Sequence, residues 1–248
     1  MVSRLNIFIG FFVLTLIIGC KVNKDDKTVK TLKFSIAEEI PVPEPSGLDL
    51  TYDESGFWVV SDENSTVYLI DSWGKVVKNF KVNGYDLEGI TVIDEGKLAV
   101  VLERTREVVV LDTSGNELKR VKLELTGELN SGLEGITYNP KLKKFFLVNE
   151  KDPILLLTLD ENLRELSRDT LSFSKDASGI YFDSKDDNLW ILSDESQMIV
   201  KTDLSGKEVF DKYIIKVEQP EGITFNRAGT RVYIVSDIRG SLYVFNLE

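Results

Sequence analysis

The chain has 248 residues, a formal net charge of −11, one cysteine and no histidine. One cysteine rules out internal disulfides and thiolate metal clusters; the absence of histidine removes Ser-His-Asp and Cys-His catalysis and most zinc chemistry. The acidic balance, with no basic stripe interleaved with aromatics, argues against a nucleic-acid partner.

Residues 1–19 read as an export signal. Arg4 precedes an apolar run from Leu5 to Ile18 that is short for a membrane-spanning helix. The run closes on Leu16-Ile17-Ile18-Gly19-Cys20, which resembles a bacterial lipobox with cleavage before Cys20. That resemblance implies a lipoprotein acylated on Cys20 and held in the cell envelope, at the outer membrane rather than the inner. An uncleaved anchor helix is the alternative. Residues 20–31 would carry the acylated cysteine and then "KVNKDDKTVKT", a polar tether. Within it Lys24-Asp25-Asp26 resembles the surface-export signal of some bacterial lipoproteins, although a plain charged linker serves equally.

Residues 32–248 repeat themselves. Gly47, Gly89, Gly135, Gly179 and Gly222 recur at intervals of 42, 46, 44 and 43 residues, each followed by Leu or Ile. An apolar burst ending in an acid comes next in every unit: "FWVVSD" to Asp62, "LAVVLE" to Glu103, "FFLVNE" to Glu150, "LWILSD" to Asp194 and "VYIVSD" to Asp237. A third run ends at Asp71, Asp112, Asp160, Asp203 or Asn246, and a more polar fourth segment follows in the first four units. Such short β-branched and aromatic runs between turn residues are strands. Four strands in about 43 residues make a propeller blade. The fifth unit stops after three strands, and "TVKTLKFSI" at residues 28–36 stands alone before the first. The expectation is an all-β, five-bladed β-propeller whose N-terminal strand completes the last blade. Trp58 and Trp190 fall inside second-strand bursts and belong to the core, whereas Trp73 falls in a turn.

The start of each inner strand and the end of each second strand share one face of a propeller. Ser46, Glu88, Glu134, Ser178 and Glu221, which precede the glycines, should therefore ring one mouth of the axis, inside a wider ring of Asp62, Glu103, Glu150, Asp194 and Asp237. Two readings stay open. In one, the glycines admit strands to a crowded axis and the second-strand acids cap the turns after them. In the other, Glu88, Glu134 and Glu221 converge and need protons, ion pairing with Arg104, Lys151 and Arg239, or a hard oxygen-seeking cation such as Ca²⁺, for which Asp62, Glu103, Glu150, Asp194 and Asp237 are further candidate ligands.

The words "LEGIT", "VVSDE" and "LEGITYNP", with the lipoprotein start, resemble the SdiA-regulated family of bacterial propellers across residues 30–248. The resemblance implies a membrane-attached propeller. The related phytase-like propellers imply carboxylate calcium sites on this face, here Glu88, Glu134 and Glu221. Gluconolactonase-like propellers imply one metal held by Glu, Asn and Asp, for which Asn149 and Asp194 are available. The leading expectation is a binding module for a protein or small-molecule ligand. The alternative is a metal-dependent hydrolase of a phosphate ester or lactone, with Glu134 or Glu221 as general base.

Overall fold

The structure, a computed structural model, describes residues 29–247. The export signal, Cys20 and the tether as far as residue 28 lie outside the described residues. β1 (Lys30–Thr31) and β2 (Lys33–Glu39) come first in the chain, yet neither belongs to the first blade. Blade 1 is β3 (Pro45–Leu50), β4 (Gly56–Ser61), β5 (Thr66–Asp71) and β6 (Val76–Lys81). Blade 2 is β7 (Leu87–Asp94), β8 (Lys97–Leu102), β9 (Glu107–Asp112) and β10 (Glu117–Lys122). Blade 3 is β11 (Leu133–Asn139), β12 (Lys144–Asn149), β13 (Leu155–Asp160) and β14 (Glu165–Thr170). Blade 4 is β15 (Gly179–Asp183), β16 (Asn188–Ser193), β17 (Met198–Thr202) and β18 (Val209–Ile214). Blade 5 is β19 (Pro220–Phe225), β20 (Arg231–Ser236), β21 (Ser241–Asn246) and, from the other end of the chain, β2.

β2 pairs antiparallel with β21 from Lys33 opposite Asn246 to Glu39 opposite Ser241, so the ring is closed as the repeat count requires. β1 adds a parallel strand to the outer edge of blade 4, with Lys30 opposite Tyr213 and Thr31 opposite Ile214. The chain is thus already in a sheet at Lys30.

There are five cores rather than one, each a wedge between neighbouring blades. The residue after each repeated glycine anchors one wedge. Ile90 packs with Trp58 and Val67, Ile136 with Val101 and Val108, and Ile180 with Val148 and Leu156. Ile223 packs with Trp190 and Leu192, and Leu48 with Val235 and Leu242. Burying each such aliphatic side chain contributes about 1.5–3 kcal/mol, which is why the ring holds without a common centre.

At the axis the inner strands come together backbone to backbone. A Cβ on Gly89 would lie 2.8 Å from the Glu134 carbonyl, and one on Gly222 would lie 2.8 Å from the Gly47 Cα. Between the two mouths the space narrows to a neck of about 10 Å³ lined by these glycines and the Leu and Ile residues after them. That is the room one water needs, so the axis is plugged rather than open.

The turns after the third strands are capped alike. Asp71 accepts the backbone N–H groups of Trp73 and Lys75, both at 2.9 Å. Asp112 does the same for Ser114 and Asn116, Asp160 for Asn162 and Arg164, and Asp203 for Ser205 and Lys207.

Gly222→Ala puts a methyl group against a neighbouring strand that cannot retreat. It should cost about 1–3 kcal/mol or more in denaturant unfolding. Gly96→Ala, where the nearest atom would be 3.7 Å away in an exposed turn, should change the unfolding midpoint little. Equal effects at the two positions would refute close approach as the reason for the repeated glycine.

Candidate metal centre

Each inner strand of blades 1, 2, 3 and 5 slips register just where its glycine stands, between Pro45 and Gly47, Leu87 and Ile90, Leu133 and Gly135, and Pro220 and Gly222. The residues left out of the pairing include Ser46, Glu88, Glu134 and Glu221. A bulge re-aims the side chain it carries, and here Ser46, Glu134 and Glu221 join Ser178 around the neck. Blade 4 has no slip and starts at Gly179.

The two rings of acids meet in one place. Oxygens of Glu103, Glu134 and Glu150 lie within 4.8 Å of one another. Glu88 and Glu221 are close enough to repel Glu134. Asp62 faces Glu88, while Asp194 and Asp237 face Glu221. Glu103 and Glu88 are only 6% and 9% exposed.

The turn-capping reading of the second-strand acids is not what the side chains do. Their turns are closed by main-chain carbonyls: Arg106 N–H donates to Glu103 O at 3.1 Å, Gln197 to Asp194 O at 2.8 Å and Gly240 to Asp237 O at 3.0 Å. Asp62 meets a backbone N–H of its own turn, that of Glu63, and Asp194 Oδ1 accepts the Gln197 side-chain amide at 3.1 Å. Glu103 instead accepts Gly132 N–H at 3.0 Å from the next blade, and one carboxylate oxygen each of Asp62 and Asp237 is buried without a partner. Capping belongs to the third-strand acids, one strand further out.

Nor do the expected cations reach the inner glutamates. Arg104 pairs with Asp86, Arg239 with Glu218 at 2.8 Å, and Lys151 with Glu150 at 2.6 Å and Glu195 at 3.4 Å. Among the described residues no ion pair involves Glu88, Glu134 or Glu221.

Sequence reasoning missed further members of this face. Glu44, Asp86 and Asp176 each stand three residues before a repeated glycine, a recurrence that was there to be seen. Asp176 is 2% exposed and accepts the Ser193 hydroxyl and the N–H groups of Asp194 and Glu195. Asn149 is 1% exposed; its amide donates to Lys151 and Pro153 carbonyls while its oxygen is left without a partner beside Glu150.

Crowding sets the protonation of the mouth. Burial first, then repulsion from neighbouring acids, pushes Glu88 and Glu134 well above the ordinary glutamate range, Glu221 to about 8 and Asp62 to about 6. Glu103, Glu150, Asp194 and Asp237 are raised chiefly by burial. Capping acids go the other way: hydrogen bonds from Asn116 hold Asp112 below its ordinary value. In the exposed turn of blade 1, Ser55 and Thr51 hold Asp53 at about 2.

The folded state therefore takes up a proton at Glu221 between the ordinary value of 4.5 and about 8. Stability falls as pH rises through that window, because the native state binds more protons than the unfolded one. Acids held low act oppositely, losing their contribution only as pH drops below about 4. Cation-free protein should melt highest near pH 5, by about that logic of linkage, and progressively lower towards pH 8. Glu221→Gln should flatten the decline. A melting midpoint that climbs steadily across the same range would mean that these carboxylates ionise freely in the folded protein.

The fold is widely shared. The nidogen/laminin complex contains a chain 13% identical, matched over 84% of this chain and 77% of that one with a TM-score of 0.62. A luciferin-regenerating enzyme is 15% identical over 86% of this chain and 95% of its own, with a TM-score of 0.55. Hydrazine synthase of Kuenenia stuttgartiensis is 16% identical over 79% of this chain, with a TM-score of 0.55, and this chain spans only 56% of it. Likeness at these identities is one of fold alone. At the level of sequence, the family model described as SdiA-regulated matches residues 29–246.

Proposed function

The chain belongs to the SdiA-regulated family, and for it we propose the role of a cation-dependent binding module of the cell envelope, attached to a membrane through a lipid on Cys20. The observation that carries the cation is the convergence of Glu103, Glu134 and Glu150 within 4.8 Å, where, among the described residues, the only cation paired with the trio is Lys151. The donors suit a hard ion. They are carboxylate oxygens and, beside them, the unpartnered Asn149 amide oxygen; among the described residues there is no thiol or imidazole. Calcium is the cation that such a set favours.

Glu103, Glu134 and Glu150 would hold the ion, with Glu88 and Glu221 contributing negative charge behind them. A bound divalent cation supplies the positive charge that the buried glutamates lack and offers an oxygen-rich partner a place to attach. The chain's own part is to keep the carboxylates fixed. Gly132 N–H orients Glu103, the bulge turns Glu134 inward, and the narrow neck leaves room behind them for about one water. Membrane attachment is supported by the apolar run and the lipobox-like Leu16–Cys20 stretch.

Melting curves with and without CaCl₂ at about pH 8 test the reading. Saturation at a hundred times the dissociation constant should stabilise the protein by about 2.7 kcal/mol. Glu134→Gln should abolish that response and at the same time raise the midpoint of the cation-free protein, because it removes a buried charge. A flat response of the parent to Ca²⁺, Mg²⁺ and Mn²⁺ alike would refute the cation site. For the anchor, Cys20→Ser should move the protein from the membrane fraction to the soluble fraction of cells; unchanged fractionation would argue for the uncleaved helix.

A further inference from the structure

The opposite mouth of the axis is a separate cavity of about 500 Å³, a volume usual for small-molecule sites. The neck divides it from the acidic mouth. Tyr52, Tyr138 and Tyr181 line it. Each ring has a neighbour within the protein: the Arg227 guanidinium stands 5.4 Å from the Tyr52 centroid, Tyr138 packs against Phe145 at 4.7 Å, and Tyr181 stacks on Phe225 at 4.8 Å. None of the three hydroxyls has a hydrogen-bond partner among the described residues.

Tyr181 is also where the repeat breaks. The residue two places after each glycine is Asp49, Thr91, Thr137, Tyr181 and Thr224 in blade order. The other four are occupied with holding the inner strands together. Asp49 accepts Thr91 Oγ1 at 3.2 Å, Thr224 Oγ1 at 2.9 Å and the N–H groups of Val92 and Leu50 at 2.9 Å each, while Thr137 Oγ1 accepts Phe182 N–H at 3.0 Å. Burial, with Asp49, Asp183 and Glu54 nearby, raises the Tyr181 phenol above its ordinary value, so it stays a neutral donor.

The charges around the cavity are spent on each other. Asp49 already has its four donors. Arg227 donates to the Tyr52 carbonyl and pairs with Glu54 at 3.4 Å. Asp94 pairs with Lys97 at 3.1 Å. An anion or a cation would meet no free counter-charge here. A neutral molecule with a flat apolar side and several hydroxyls would meet aromatic surface and three unpaired phenols, the combination that suits aromatic residues with a polar handle. We infer that this second mouth binds a neutral carbohydrate, a saccharide ring lying against Tyr138 and Tyr181 and exchanging hydrogen bonds with their hydroxyls. The inference is independent of the cation site.

Calorimetric titration of the full chain with maltotetraose, cellotetraose and N-acetylchitotriose tests it. At least one should bind. Tyr181→Phe, which keeps the stack on Phe225, should weaken that binding by up to about tenfold, the equivalent of one hydrogen bond. Tyr138→Ala should weaken it further, and Glu134→Gln at the far mouth should leave it unchanged. Melting curves of each variant verify that it is folded. The inference is overturned if no neutral oligosaccharide binds, or if binding survives both tyrosine substitutions in folded protein. It is equally overturned if a uronic-acid oligosaccharide binds more tightly than its neutral counterpart.

Discussion

The arrangement depends on five strands approaching one axis closely enough that no side chain fits between their backbones. Glycine is the only residue that meets this demand at Gly47, Gly89, Gly135, Gly179 and Gly222. Once the backbones touch, the next residue is driven sideways into the gap between blades, where Leu48 and four isoleucines each close a wedge. The residue before the glycine has nowhere to pair in four of the blades and bulges toward the mouth. One steric constraint thus produces the plug, the cores and the orientation of the glutamates.

That geometry explains why carboxylates can be held there at all. A rigid main-chain ring resists the repulsion that would spread three glutamates on a softer scaffold, so the strain appears as raised proton affinity rather than as movement. Proton and metal ion are then competing answers to the same crowding. The far mouth is built on the same strands but lies beyond the neck; there Arg227 pairs with Glu54 and Asp94 with Lys97, and Asp49 is held by four neutral donors. One ring therefore carries two chemically unlike mouths.

Blade number, strand order and the closing role of the N-terminal strand were legible in the sequence because they follow from period and from counting. Gly followed by Leu or Ile recurs every 42 to 46 residues, and the last unit lacks a strand. Glu44, Asp86 and Asp176, three residues before a glycine, were passed over, but the acids directly before the glycines and at the second-strand ends were legible too. Their partners were not. Capping by Asp71 and its equivalents and the different engagement of second-strand acids such as Glu103 look identical as letters. They differ only in which way the strand end points, and that depends on the bulge. Arg104 and Lys151 directly follow their second-strand acids and Arg239 stands two residues after Asp237, yet among the described residues only Lys151 reaches the trio, while Arg104 and Arg239 pair with Asp86 and Glu218. Tyr181 and Asp49 drew no notice because a lone departure inside a repeat carries meaning only when its neighbours in space are known.

The pairing of β2 with β21 has a consequence for how such a molecule comes into being. Translation proceeds from the N-terminus, so Lys33–Glu39 is made about two hundred residues before Ser241–Asn246 and must wait for it. Until then blade 5 has no outer strand and β2 has a bare edge, while blades 1 to 4 can already form from contiguous chain. A contact this distant in sequence is slow to find. A chain that stopped short of Ser241 would be left as an open arc with two unpaired edges, the condition that invites aggregation or removal by quality-control proteases.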